Sequence, residues 1–254
     1  MPYRYATEPE DSSAYAPGRT FYSAPGRTAF PVRLADEIFQ RCVAFLESEG
    51  KPGPYTLYDP CCGGGYLLAT LAFLHRRYIP RLYGSDIDSQ ALELARRNLS
   101  LLSPQGLRAR REELEDLLSR YGKSSHAEAL ESAASLQRQF EGSGKHGPPE
   151  VHLFAADGTN PANVAANIEA RSVEVVVTDL PYGRLSSWHV PEERAGEETE
   201  PLASSLLEAL LPVLARSSIV ALASDKIQKP EHEGYCRVGR LQIGKRRVTF
   251  LAPY

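Results

Sequence analysis

Along Val32–Glu49 the apolar residues Leu34, Ile38, Cys42, Phe45 and Leu46 recur at helical spacing, and Gly50, Pro52 and Pro54 end the pattern. This predicts an amphipathic helix leading into a strand over residues 55–58. The chain then alternates: helix 65–78, strand 81–86, helix 89–102, strand 151–155, helix 162–170, strand 173–178, helix 201–215 and strand 218–223. Such alternation predicts a parallel sheet with helices on both faces. The last β-rich runs, 235–243 and 246–252, are separated by little more than Gly244-Lys245, which predicts an antiparallel hairpin. The expected fold is α/β, a single domain with a mostly parallel seven-stranded sheet finished by that hairpin.

Three segments stand outside the alternation. Residues 1–30 are rich in Pro, Gly, Ser and Tyr and repeat Ala16-Pro-Gly-Arg-Thr as Ala24-Pro-Gly-Arg-Thr28. They read as an extended arm with two equivalent turns presenting Arg19 and Arg27. Residues 103–149 read as a helical insertion: an Arg-rich turn (Arg108, Arg110, Arg111), helices 112–121 and 127–140, and a Gly-rich exit at 142–147. Residues 183–200, which hold Trp188, form a loop long enough beside a candidate site to bear on function.

Composition narrows the classes. A formal charge of −3 with 42% hydrophobic residues describes a soluble protein without a uniform basic field, so any nucleic-acid contact must be local. Such local charge exists, because residues 226–254 carry seven Lys or Arg against two Glu. Cysteines 42, 61, 62 and 236 and the histidines show no metal-binding spacing, and free thiols fit a reducing compartment. With no run of about 18 apolar residues and no leader pattern, a cytoplasmic, unanchored protein is expected.

The candidate chemistry begins at Asp59-Pro60-Cys61-Cys62-Gly63-Gly64-Gly65, where a strand end meets a tight turn that opens a helix. Glycines there let a ligand approach the backbone. A phosphate-binding P-loop would need Gly-Lys-Ser/Thr, but Tyr66 and Leu67 follow Gly65; the dinucleotide fingerprint would need a third glycine where Leu68 stands. The segment instead resembles the D-P-x-C-G-x-G loop of S-adenosylmethionine (SAM)-dependent nitrogen methyltransferases. The resemblance implies that Asp59, Cys61, Cys62, Gly63 and Gly65 hold the methionyl part of SAM. It also implies that Asp157, with Gly158, accepts the adenine amino hydrogen. Asp86 ends the second strand, where a carboxylate can accept both ribose hydroxyls; Asp88 is either a further cofactor contact or the cap of the next helix. Four acids at successive strand ends, 59, 86, 157 and 179, would share one edge of a parallel sheet.

The second motif is Asp179-Leu180-Pro181-Tyr182, similar to the (D/N)-(P/L)-P-(Y/F) tongue of enzymes that methylate nucleobase nitrogens or glutamine amides. A nitrogen conjugated to a ring has little free lone pair, so its hydrogens must be held by acceptors. Asp179 and the Leu180 carbonyl can do that, Pro181 fixes the turn and Tyr182 stacks. An ionised carboxylate accepts only, which suits guanine N1 or N2, and Asp179 can also serve as general base.

The motifs together, with the repeat in the arm and the Lys245-Arg246-Arg247 ending, resemble the antibiotic-resistance ribosomal RNA guanine methyltransferases over essentially the full chain. That resemblance implies a Rossmann-like SAM-dependent fold and monomethylation of a guanine nitrogen in 23S rRNA. Resistance to avilamycin-type orthosomycins would follow. The implied partner is 23S rRNA or the large ribosomal subunit, met by a monomer. RNA contacts are expected from Arg184, Trp188, Arg19, Arg27, Arg108, Arg110, Arg111, Lys245, Arg246 and Arg247. A glutamine-amide methyltransferase and a non-catalytic SAM- or RNA-binding scaffold remain as alternatives.

Overall fold

The computed structural model describes residues 3–26, 29–142, 146–181, 199–225, 228 and 230–254. In chain order the elements are α1 (Val32–Ser48), β1 (Thr56–Asp59), α2 (Tyr66–Leu74), β2 (Arg81–Asp86), α3 (Ser89–Ser100), α4 (Pro104–Tyr121) and α5 (Ser124–Gly142). There follow β3 (Glu150–Ala155), α6 (Pro161–Ala165), β4 (Val173–Asp179), α7 (Thr199–Leu210), β5 (Leu214–Ser224), β6 (Tyr235–Ile243) and β7 (Arg246–Pro253).

The strands form one sheet in the order β3-β2-β1-β4-β5-β7-β6, parallel from β3 to β5 and antiparallel from β5 onward. Strand order reverses between β1 and β4, the position at which open α/β sheets bind ligands beyond their C-terminal ends. Because β7 runs against β5, pairing Ser224 with Arg247 and Ala223 with Val248, its first residues stand at that same edge. A parallel last strand would have started at the opposite edge.

Side chains of a strand alternate between faces, and the central strands bury both. Leu57, Val175, Val177, Ile219 and Ala221 enter the core shared with Ile38, Leu68, Leu71 and Ala95 of α1, α2 and α3. Tyr58, Val176, Val220 and Leu222 enter the core shared with Val164, Leu206 and Leu210 of α6 and α7. Their near-continuous apolar runs are what a doubly covered parallel sheet requires.

Several boundaries differ from those expected. The Arg-rich segment is helix rather than turn: Ser103 Oγ accepts the Gly106 N–H at 3.0 Å with Pro104 at the first helical position, so α4 starts eight residues before the expected 112. α6 is short because the amides of Asn167 and Ile168 both bond the Val164 carbonyl, closing the helix. α2 stops at Leu74, and His75 turns to Asp36 at 2.8 Å. α7 ends at Leu210, two residues before Pro212, which frees Leu214 to open a β5 longer than expected.

The arm packs on the domain. Phe21 is fully buried among Tyr15, Tyr66 and Phe73, and both repeat units turn at a left-handed glycine, Gly18 (φ 82°) and Gly26 (φ 76°). Its start is fixed by the buried Glu37 of α1, whose carboxylate accepts the backbone N–H groups of Arg4, Tyr5 and Ala6 at 2.8, 2.7 and 2.9 Å. Helices α4 and α5 hold the other side of the arm, with Tyr15 Oη donating to Gln139 Oε1 at 2.9 Å.

Candidate active site

Gly63 and Gly65 have left-handed backbones (φ 52° and 73°), so the β1–α2 turn reverses sharply and opens α2 at Gly65. Gly65 also lies against α3, where a Cβ would come within 3.1 Å of Ala95 Cα. The loop is held from below: the Cys62 N–H donates to the Ser85 carbonyl at 2.9 Å and the Gly63 N–H to Asp86 Oδ2 at 2.8 Å. Asn98 of α3, fully buried, donates to the Gly64 carbonyl at 2.8 Å while its Oδ1 accepts the Tyr22 N–H at 2.8 Å. The arm and the glycine loop are thereby fastened to one side chain.

Asp59 is the buried centre of the edge. Its Oδ1 accepts Thr178 Oγ1–H at 2.6 Å and the Cys61 N–H at 3.1 Å. Burial pushes its pKa up to about 7; those two donors oppose the rise and the negative charges of Asp86 and Asp179 add to it. Such a carboxyl is stabilised in its ionised form by a cation placed beside it. Burial also pushes the Cys61 and Cys62 thiols up, so neither is a ready thiolate.

The other acids take distinct places. Asp86 accepts the Gly63 and Asp88 N–H groups on its two oxygens, and a carboxylate with about four lone-pair sites has capacity left. Asp88 is the cap of α3, its Oδ1 accepting from Gln90 and Ala91 N–H at 2.8 and 3.3 Å. Asp157 folds its loop by accepting the N–H and Oγ1–H of Thr159 on one oxygen. Gly158 brings this loop against the glycine turn, where a Cβ would stand 3.1 Å from the Pro60 carbonyl oxygen.

Asp179 ends β4 paired with Ala223 of β5, and the Leu180 N–H bonds the Ala223 carbonyl at 2.8 Å, extending the strand contact by one residue. The Leu180 side chain is buried in the core. The Pro181 carbonyl accepts from Gln228 Nε2 at 3.3 Å, and Gln228 is itself buried. Arg246, the first residue of β7, reaches Asp179 Oδ2 at 3.9 Å. Tyr182, Arg184, Trp188 and Arg27 lie outside the described residues.

The basic residues divide. Arg110 is a structural residue here, contrary to expectation: 7% exposed, it donates to the Thr20 and Arg19 carbonyls of the arm and pairs with Glu113. Arg19 pairs with Glu128 at 2.8 Å, and Arg111 bonds Gln137. Arg19 and Arg110 clasp the arm to α4 and α5, and Arg111 ties α4 to α5. Arg108 and Lys245 are exposed, and Arg247 half-buried. Sequence reasoning missed Glu37, Asn98, Thr178 and Gln228. For Asn98 a cue exists, since it falls three and four residues after Ala95 and Leu94 on the inward stripe of α3; Gln228 sits in no periodic segment.

A parallel sheet ending in an antiparallel hairpin, a glycine turn at the strand-order switch and acids along the same edge define a Rossmann-like methyltransferase. Within that class the chain belongs to the rRNA methyltransferase AviRa family, whose model matches residues 1–246. It is 41% identical over 249 residues to a 23S rRNA (guanine(2535)-N(1))-methyltransferase of Streptomyces viridochromogenes, covering 98% of this chain and 95% of that one. A solved structure of the rRNA methyltransferase aviRa from the same organism superposes with a TM-score of 0.84 at 40% identity, covering 98% and 96% of the two chains. TrmN from Thermus thermophilus, at 16% identity, TM-score 0.50 and coverage of 91% of this chain and 51% of its own, shares the fold. The chain is thus an rRNA methyltransferase.

Proposed function

We propose that this enzyme transfers a methyl group from SAM to N1 of a guanine in 23S rRNA, and so confers resistance to avilamycin-type orthosomycins. The observation that carries the reading is Asp179, an acceptor-only side chain at the end of β4, on the same sheet edge as the glycine turn. The name borne by the relative from S. viridochromogenes gives the same nitrogen. The reading also has the enzyme act as a cytoplasmic monomer; among the described residues no helix is long and apolar enough to cross a membrane.

The chain's own residues fit the cofactor. A turn with two left-handed glycines leaves backbone open to a ligand, and a carboxyl with its pKa at about 7 favours a cationic neighbour. Asp59 with the backbone of Cys61, Cys62, Gly63 and Gly65 would hold the methionyl end, Asp86 the ribose, and Asp157 with Gly158 the adenine. SAM, when bound, supplies a methyl group on a positively charged sulfur.

On the substrate side, Asp179 accepts the N1 hydrogen and the Leu180 carbonyl a second one, so that the lone pair of the ring nitrogen is localised and aimed. Gln228 holds the tongue through the Pro181 carbonyl. Tyr182 and Trp188 are assigned to stacking of an unstacked base. Arg184, Arg19, Arg27, Arg108, Arg111, Lys245, Arg246 and Arg247 are assigned to RNA, Arg19 in addition to its pairing with Glu128 and Arg111 in addition to its bond to Gln137. A methyl on N1 removes the donor from the pairing edge and adds bulk, either of which can end drug binding.

The test is transfer of labelled methyl from SAM to purified 23S rRNA and, separately, to ribosomal proteins, with nucleoside analysis of the labelled RNA. 1-Methylguanosine is expected. Label in protein would instead support the glutamine-amide reading, and no label the scaffold reading.

A further inference from the structure

Arg246 stands at the site because of topology. The antiparallel course of β7 brings its first residue to the edge where β4 and β5 end, and the guanidinium comes 3.9 Å from Asp179 Oδ2. That separation is longer than a hydrogen bond but close enough to act as a countercharge. The guanidinium also lies 5.3 Å from the ring centre of Phe30, a buried residue just before α1. Among the described residues, the charged groups near Asp179 include Asp59 on β1, which feels its charge, and Arg246 on β7.

Guanine presents a donor at N1 beside an acceptor at O6, whereas adenine presents an unprotonated N1 beside a donor amine. A carboxylate next to a guanidinium presents the complementary pair, acceptor beside donor. Resting on the reading of guanine N1 as the methylated nitrogen, we propose that Arg246 is a specificity-determining residue that donates to guanine O6 while Asp179 accepts the N1 hydrogen. In the reaction the N1–H bond breaks and the proton passes to Asp179. The electron pair left behind, shared between N1 and O6, forms the N–CH3 bond as the S–CH3 bond of the sulfonium donor breaks to leave a neutral thioether. Arg246 faces the oxygen on which negative charge develops, and so stabilises the transition state more than the bound base.

The experiment measures kcat, KM for a 23S rRNA fragment, the pH dependence of kcat and SAM affinity by calorimetry for wild type, Arg246→Ala and Arg246→Lys. For Arg246→Ala, kcat should fall about 100-fold and its rise with pH should move to more alkaline values. Added guanidinium below denaturing concentration should restore part of the rate, while SAM affinity stays as in wild type. Arg246→Lys keeps the charge but not the fork, and about a 10-fold lower kcat is expected; it decides the matter if the alanine variant does not fold. Wild-type kcat in either variant, or a raised KM with an unmoved pH profile, overturns the proposal and makes Arg246 an ordinary RNA contact. Failure of the underlying reading is separately visible, since the wild-type product would then not be 1-methylguanosine.

Discussion

Thr178 Oγ1 donates a 2.6 Å hydrogen bond to Asp59 Oδ1 across 119 positions of sequence, and both side chains are buried. The bond joins the last residue of β1 to the residue before Asp179 on β4, so the cofactor turn and the substrate tongue share a fixed reference. Replacing Thr178 by valine keeps the shape and removes the donor. A stability loss of about 1–3 kcal/mol is expected from denaturant unfolding. SAM affinity should weaken as well, because Asp59 then ionises less readily. Unchanged affinity would mean that the pair is structural only.

Asp59 also predicts a proton signature. Its folded pKa, pushed from 3.8 to about 7 by burial, exceeds the unfolded value. The folded chain therefore keeps a proton that the unfolded chain has lost, and this contribution to stability is complete below 3.8 and declines as pH rises toward 7. Asp59→Asn should flatten the stability profile across that window. Binding of cationic SAM favours the carboxylate, so it should release a proton below neutral pH, seen as a binding enthalpy that depends on the buffer. Buffer-independent enthalpy in wild type would count against contact between Asp59 and the cation.

The two left-handed glycines should respond differently to alanine. At Gly63 the space for a Cβ is open and only the backbone conformation is strained, costing about 1–2 kcal/mol. At Gly65 the same strain is joined by a 3.1 Å approach to the Ala95 backbone, so α2 and α3 must separate. Gly65→Ala should be the less stable variant and should lose more SAM affinity; thermal melts and calorimetry on the pair decide it.

Glu37 anchors the arm through three backbone N–H groups and Arg41. Burial alone would raise its pKa, but those donors outweigh it and hold the carboxyl below its ordinary value of 4.5. Its contribution is thus present above 4.5 and is lost as pH falls through the lowered folded value. Glu37→Ala should release residues 3–26 to limited proteolysis at neutral pH and lower stability by about 3 kcal/mol or more. Wild-type protease resistance would show that Phe21 and its neighbours hold the arm alone.

How much of this was legible in the sequence follows from the range of the interactions. The strand and helix alternation carried the sheet, because doubly buried strands carry near-continuous apolar runs such as Val175, Val176 and Val177 of β4, and Gly244 with the runs around it carried the hairpin. The glycine turn and the acids at 59, 86, 157 and 179 were legible because they sit at predictable strand ends. Helix boundaries were less so. The start of α4 depends on one serine cap, and the end of α2 on a contact from His75 to Asp36. Arg110 could not be told from an RNA contact, since charge at an Arg-rich segment does not reveal which backbone carbonyls it will meet. Thr178 and Asn98 act through partners 119 and 76 residues away, and no local periodicity encodes those pairings.

The most direct test of the central claim is to express wild type and Asp179→Ala in an avilamycin-sensitive bacterium and to map the 23S rRNA by primer extension. A methyl on guanine N1 blocks the pairing edge and stops reverse transcriptase. A strong new stop at a single guanine is expected with wild type, accompanied by resistance, and neither with Asp179→Ala although that variant still binds SAM. A stop and resistance that persist with Asp179→Ala would contradict that claim.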